Sequence, residues 1–387
     1  LGRIGAASVP VLVSNLREGE THTRRRVLEA LRMIGHRATE AVPALAHALR
    51  DGAAEIRIYA AVALRKMGRH AKDAIPELMM ALKDDKIDVR RAAAEALGDM
   101  GSEAVQPLCG ALKDDDPNVR FDAAFAIGRI GPPAAGAIDA LVQVVLNDNL
   151  GPQYIAAEAL GNIGAAAETA VPVLTKALKS IESPVRASAA KALGRIGRGA
   201  VPALISVLED EDPLVRRRGI SALGQLGPDA RDSVTALIKL LDDLDCRIQA
   251  ADALRQIGHD AKDAVPQLIR LMCEPAGDIS RAAGNALGAI GSASVDVLTQ
   301  ELKRGDSQIR MLAIAALAQI GEGAARAVYV LADCLNDTDE RIRFNATRAL
   351  EKLGPAANPA KEMLEKALRD EDEDVRYWAS EALKKLK

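Results

Sequence analysis

An arginine recurs along this sequence at one fixed place in an apolar pattern. Arg24, Arg57, Arg90, Arg120, Arg186, Arg216, Arg247, Arg310, Arg343 and Arg376 each stand seven residues ahead of a large apolar residue, such as Leu64, Leu97 or Ile127. Guanidinium groups repeated in register have two chemical uses: a track for phosphates, or one side of a set of carboxylate ion pairs. Acids lie just ahead of these arginines at Asp114–Asp116, Asp210–Asp212, Asp242-Asp243, Asp337, Asp339 and Glu371–Asp374. Two equivalent positions hold Gln153 and Ser280, and the stretches ahead of them (Asn147-Asp148-Asn149 and Glu274 to Asp278) are poorer in acid. Arginine and acid are therefore expected to fade together.

Catalytic chemistry needs a nucleophile, a base and an orienting group that converge. The histidines, His22, His36, His47, His70 and His259, are scattered, with no acid or cysteine recurring at helical spacing beside them. Cys109, Cys246, Cys273 and Cys334 form no C-x-x-C pair and read as small apolar fillers on helices. No phosphate-binding glycine loop, H-E-x-x-H or G-x-S-x-G is present. The expectation is a chain with no catalytic residues, no metal site and no cofactor. A net charge of −3 predicts no bulk attraction to nucleic acid or membrane. No apolar run reaches the length of a membrane span. Nothing calls for a disulfide-forming compartment, so a cytoplasmic location is expected.

The elements that would position such side chains follow from a period. A glycine closes an apolar stretch at Gly5, Gly35, Gly68, Gly101, Gly131, Gly164, Gly197, Gly227, Gly258, Gly291, Gly321 and Gly354, and one more step reaches Lys387. Repeats therefore occupy the whole of residues 1–387, with units ending near each of these positions. In residues 68–101, Ile75, Leu78, Met79 and Leu82 fall at the spacing of one helical face. An acidic turn, Asp84-Asp85, follows. Val89, Ala93, Ala94, Leu97 and Met100 then make one face of a second helix. The closing glycine should end that helix with positive φ in the left-handed conformation, and Asp-Pro at 116–117 and 212–213 should start it as N-cap plus first-turn proline. Aromatics are only 2% of residues. Alanine, leucine, valine and isoleucine must then form the core, as suits thin helices stacked closely on both neighbours.

The strings Ala41-Val42-Pro43-Ala44-Leu45 and Ala200-Val201-Pro202-Ala203-Leu204, with the stretch Val185 to Gly197, resemble HEAT repeats, and most closely the short PBS-lyase HEAT-like variety. The resemblance covers essentially the whole chain. It implies an all-α fold, a right-handed α-solenoid of about twelve HEAT-like helix pairs. It also implies that the recurring arginine pairs with acids of the inter-helix turns, and that the second helices line the concave face. Leu1-Gly2-Arg3-Ile4-Gly5 matches Leu193 to Gly197. Residues 1–5 are accordingly expected to be the tail of a preceding repeat in a larger protein.

A binding surface shows where repeats depart from their own pattern. Positions one, two, five, eight and nine residues after the recurring arginine are expected to face outward on the second helix. Tyr59, Phe121, Phe125, Tyr154, Phe344, Tyr377 and Trp378 all fall there, and Tyr329 alone among the aromatics does not. Basic residues outnumber acids in the same set, including Arg91, Arg129, Lys191, Arg195, Arg217 and Arg218, while Met311 and Leu312 add an apolar interruption. With Asp122, these named side chains make sixteen candidate partner-binding residues. The resulting expectation is a non-catalytic scaffold that holds an acidic or amphipathic protein or peptide. Two other classes remain open: a nucleic-acid binder, since Asp122 between Phe121 and Phe125 faintly resembles the pockets of HEAT-like DNA glycosylases, and a chromophore-lyase or chaperone-type subunit.

Overall fold

The computed structural model describes residues 5–275 and 277–386; Leu1–Ile4, expected above to be the tail of a preceding repeat, and Lys387 lie outside them. Every regular element among the described residues is helical. One repeat serves for all. Gly68–Ala74 is a 3₁₀ turn, Ile75–Ala81 a short first helix, and Ile87–Met100 a second helix of 14 residues. Pro76 opens the first helix, where its missing N–H has no intrahelical partner to lose. The Asp116 and Asp212 carboxylates accept from the backbone N–H of Asn118 and Leu214, so the Asp-Pro steps cap the second helix as the sequence indicates.

The closing glycines all have positive φ. Their ψ departs from the expected left-handed helical value. At Gly131 φ is 71° and ψ is −139°, a region that only glycine occupies without strain. It lets the chain leave the second helix and enter the 3₁₀ turn of the next repeat at once. That 3₁₀ turn, with Ala71 fully buried at its kink, has no apolar periodicity of its own to announce it.

The chain divides between Ala200 and Val201 into two compact units. In the first, Leu31, Leu64, Leu97, Ile127, Leu160 and Leu193 form a fully buried column along the second helices; in the second, Leu223, Leu254, Leu287, Leu317 and Leu350 do the same. Within each unit successive second helices pack along their length, whereas successive first helices touch at few points. The second helices therefore make the tight, inner side of each unit. Among the described residues one stretch, Ser307–Asn336, is long and apolar enough to cross a membrane, an 18-residue window in it reaching a mean hydropathy of 1.3, but it is not one continuous helix. Gly321 and the non-helical Ala324 break it into Ser307–Ile320 and Val328–Asp333.

Arg24, Arg57, Arg90, Arg120, Arg216, Arg247, Arg310 and Arg343 form an ion-pair ladder, with a register that joins one repeat to the next, while Arg186 and Arg376 donate to carbonyls of their own turns. Arg120 Nη2 donates to Asp148 Oδ1 at 2.6 Å, and its Nη1 donates to the carbonyls of Asp114 (2.7 Å) and Asp115 (2.9 Å) in its own turn. Arg216 pairs with Asp243 and Arg247 with Glu274, both one repeat on, and Arg343 grips Asp370 with both Nε (2.8 Å) and Nη2 (3.0 Å). This corrects the expectation that arginine and acid fade together within a repeat. Asp148 and Glu274 lie in the turns ahead of Gln153 and Ser280, yet each is held by the arginine of the preceding repeat. What those turns lose is the guanidinium on their own carbonyls. Gln153 restores one bond, to the Val145 carbonyl at 3.2 Å.

Burial by itself would raise the Asp148 and Asp370 carboxyls. The arginine and backbone N–H hydrogen bonds outweigh it and hold both below the ordinary carboxylate value. A folded-state value below the unfolded one gives stability that is complete above the unfolded range, near about pH 4, and is lost as pH falls through the lowered values. Thermal midpoints are expected to drop below about pH 4, and Arg120→Gln should make that acid-side drop shallower, as circular dichroism melts at a series of pH values will read.

Candidate functional site

The second-helix face is narrower than the sequence pattern suggests. Residues one, five and nine after the ladder position are open or half-open, as Arg91, Glu95 and Asp99 are in the third repeat. Those two and eight after it lie on the flanks: in the third to fifth repeats (Ala92, Gly98, Asp122, Gly128, Ile155, Gly161) they are buried toward the neighbouring second helix, whereas Arg26, Arg32, Tyr59 and Arg65 in the first two repeats stay open or half-open. Gly98, Gly128 and Gly161, all eight after, are buried, and a Cβ on Gly161 would stand 2.6 Å from Ala192 Cα. These glycines set how closely the helices approach.

Asp122 falls at one of these turned-in positions, which corrects its place among the outward candidates. It is 9% exposed and its Oδ2 accepts from Arg90 Nε at 3.3 Å. Burial raises its carboxyl, with Arg90 and Arg91 opposing. It completes the ladder here because Asp114, which would otherwise face Arg90, is taken by Lys83 at 2.6 Å. Asp122 is thus a structural carboxylate and no part of an exposed acid-plus-aromatic pocket. Leu312 is also only half-open, its Cβ lying 3.6 Å from where a Cβ on Gly284 would be.

The aromatic rings gather in two places, one in each unit. In the first, Phe121 and Tyr154 meet edge to face with centroids 5.8 Å apart, both half-buried, and Phe125 is half-buried one turn further along the same helix. Such pairs prefer this geometry and contribute about 0.5–1.5 kcal/mol beyond area burial. In the second, Arg348 lies 5.7 Å over Phe344 and 5.2 Å over Trp378, and Trp378 meets Tyr377 edge to face at 5.4 Å. Tyr377 is 56% exposed. Tyr59 sits apart from both, beneath Arg25 at 5.9 Å. Met311 is half-open.

Most of the expected positive charge on this face is matched. Arg129 pairs with Asp99, Lys191 with Glu158 at 2.8 Å, and Arg217 with Asp245 at 3.5 Å. Arg65 pairs with Glu95, and Lys385 with the buried Glu351. Arg195 donates to the Asn162 amide oxygen. Arg218 is half-buried. Elsewhere, His36 and His70 come within 6.0 Å across adjacent 3₁₀ turns, a pairing that equivalent places in two repeats could have signalled. Burial and the neighbouring Glu301 push the Cys273 thiol up to about 11. Among the described residues no group of three or more histidine, cysteine or acidic side chains is placed to hold a metal ion.

A sequence profile described as HEAT repeats matches residues 9–98, 42–120, 75–161, 105–182, 171–255 and 295–384. The chain belongs to the HEAT-repeat family. One of its HEAT repeats, at residues 247–272, also matches the profile of the PBS lyase HEAT-like repeat. No curated protein matches the sequence. Among solved structures, the fold is similar to importin beta (14% identity, TM-score 0.59, 96% of this chain and 64% of that one). It is similar also to Kap95 in its complex with Nup1 (14%, 0.65, 99% and 61%) and to Kap121p (14%, 0.59, 96% and 50%). The chain thus spans less than two thirds of the length of each. These likenesses concern the fold: a HEAT α-solenoid of about twelve helix pairs.

Proposed function

We propose that this HEAT-repeat protein is a non-catalytic scaffold that holds an acidic or amphipathic segment of another protein on its second-helix face. The observation that carries the reading is the placement of the aromatics. A chain that builds its core from aliphatic side chains puts Phe121, Phe125 and Tyr154 half-open on one inner face, and Phe344, Tyr377 and Trp378 on another. Large rings with few rotatable bonds are the usual anchors of protein interfaces. Proteins of similar fold have been captured with protein partners: Kap95 with Nup1 and with RanGDP, and Kap121p with Pho4p.

Phe121→Ala/Phe125→Ala/Tyr154→Ala tests the reading. Partners captured by the wild-type chain are expected to bind the triple variant at least about tenfold more weakly, since anchor truncations typically cost 2 kcal/mol or more. Far-ultraviolet circular dichroism should be unchanged. Full retention of those partners by a folded triple variant would sink the proposal.

A further inference from the structure

Resting on the reading that the second-helix face holds a protein partner, we infer that an acidic partner is read by repeats one to three, through Arg26, Arg32, Lys66 and Arg91. The basic residues of this face divide by what they already touch. From the fourth repeat onward, Arg129, Lys191, Arg217, Arg255, Arg281, Lys352, Lys384 and Lys385 each have a carboxylate partner, Arg195 has an amide and Arg348 lies against two rings. In the first three repeats Arg25 pairs with Glu55 and Arg65 with Glu95. Arg26, Arg32, Lys66 and Arg91, on the same helices, reach no carboxylate within ion-pair distance among the described residues. Arg26, Lys66 and Arg91 are exposed and Arg32 is half-buried.

The distinction matters energetically. A paired guanidinium that meets an acidic partner exchanges one carboxylate for another and gains little. An unpaired one gains a new charge-assisted hydrogen bond, with the two-pronged geometry that arginine offers a carboxylate. The opposing charges nearby are few. Glu95 and Asp99 are already engaged, Glu55 is held by Arg25, and Asp122 is held by Arg90 beside Arg91. Glu29 is the remaining acid on these three inner faces.

Arg26, Lys66 and Arg91 sit on three successive second helices. Arg26 and Arg91, near the starts of the first and third, are roughly 20 Å apart at about 8–10 Å between helices. Lys66 stands seven to eight residues further along its own helix, about 10–12 Å to one side of that line. The ligand that fits is therefore an acidic segment whose carboxylates spread over a patch of that size, and not along one straight row.

The probe is a fluorescein-labelled peptide of six Glu-Ser pairs, titrated with the full chain in fluorescence anisotropy at two salt concentrations, beside a thymidine dodecanucleotide. Arg26→Gln/Arg32→Gln/Lys66→Gln/Arg91→Gln should raise the peptide Kd at least tenfold. Arg255→Gln/Arg281→Gln/Lys384→Gln, which removes three cations already matched, should change it less than twofold. An equal loss in both sets reduces the effect to general charge and overturns the inference. So does tighter binding of the oligonucleotide than of the peptide at the same salt. If the first set leaves peptide affinity intact while the aromatic triple variant abolishes it, the partner-holding face stands and the acid-reading segment falls. If the wild-type chain does not bind the peptide, the inference falls, and the aromatic test still decides the scaffold reading by itself.

Discussion

Arg57→Ala is expected to lower stability by about 2–4 kcal/mol and to loosen the second and third repeats first. Arg57 grips Asp84 with two bonds, Nε to Oδ2 at 2.6 Å and Nη2 to Oδ1 at 2.8 Å. Its Nη1 also donates to the Asp51 carbonyl at 2.9 Å. The two side chains are only 12% and 11% exposed, so the deletion strands a shielded carboxylate and a turn carbonyl together. Breaking a fully buried pair in this way costs about 3–5 kcal/mol, and an exposed pair about 0–1; this pair stands nearer the first case. Because the bond runs from one repeat to the next, the loss falls on the interface term that holds a solenoid together. Urea midpoints will read the size, and hydrogen exchange at residues 54–100 will read the place. Arg326→Ala is the control: its pair with Asp296 is 63% and 68% exposed, and it should shift stability by less than about 1 kcal/mol. Equal losses in the two variants would show the ladder to be surface charge and not repeat-to-repeat glue.

The ladder also marks the boundary of what the sequence discloses. That Arg57 and its equivalents matter is legible from their register seven residues before the buried column at Leu64 and Leu97. Which acid each one takes is not, because each stretch of sequence shows an arginine beside the acids of its own turn. For Arg24, Arg57, Arg120, Arg216, Arg247, Arg310 and Arg343 the chosen partner is an acid of the following turn, and for Arg90 it is Asp122 on the following helix, since side-by-side stacking brings equivalent points of successive repeats within reach while an arginine's own turn offers it carbonyls. The helix pairs and closing glycines were plain for a related reason: a twelvefold pattern averages away local ambiguity. The 3₁₀ turns were hidden because a short alanine-rich stretch has no periodicity that distinguishes it from the start of the first helix.

The face itself was legible only in part. The aromatics were correctly expected on the second helices, but a helical wheel of one isolated helix treats its flanks as open, whereas in the stack both flanks meet neighbours. Asp122 was misplaced for that reason. The expected positive charge misled in a similar way. Arg65 and Glu95, Asp99 and Arg129, and Glu158 and Lys191 are each about one repeat apart, so opposite charges at the repeat period were the signal that this charge is largely matched.

Gly161 turns the same geometry into a prediction of sign. In an ordinary exposed helix, glycine to alanine stabilises by about 0.5–1 kcal/mol through backbone entropy and propensity. At Gly161 the added methyl would lie 2.6 Å from Ala192 Cα and 3.0 Å from its Cβ, contacts too short to keep, against backbone that does not swing aside as a flexible side chain would. The fifth and sixth repeats must then part along the close-packed flank of their second helices, and overpacking of this kind costs about 1–3 kcal/mol. Gly161→Ala is therefore expected to destabilise, and Gly161→Val to do so by more. Gly110 is the opposite case: it lies in the short helix Val105–Ala111 with nothing within 4 Å of an added Cβ, so Gly110→Ala should stabilise slightly. Urea unfolding of the three variants decides the matter. Opposite signs at the two glycines follow only if the second helices, and not the first, make the close contact that sets the inner face. A stabilising Gly161→Ala would mean that the flank of the fifth repeat is open after all, and that Ile155 and Gly161 belong to the binding surface.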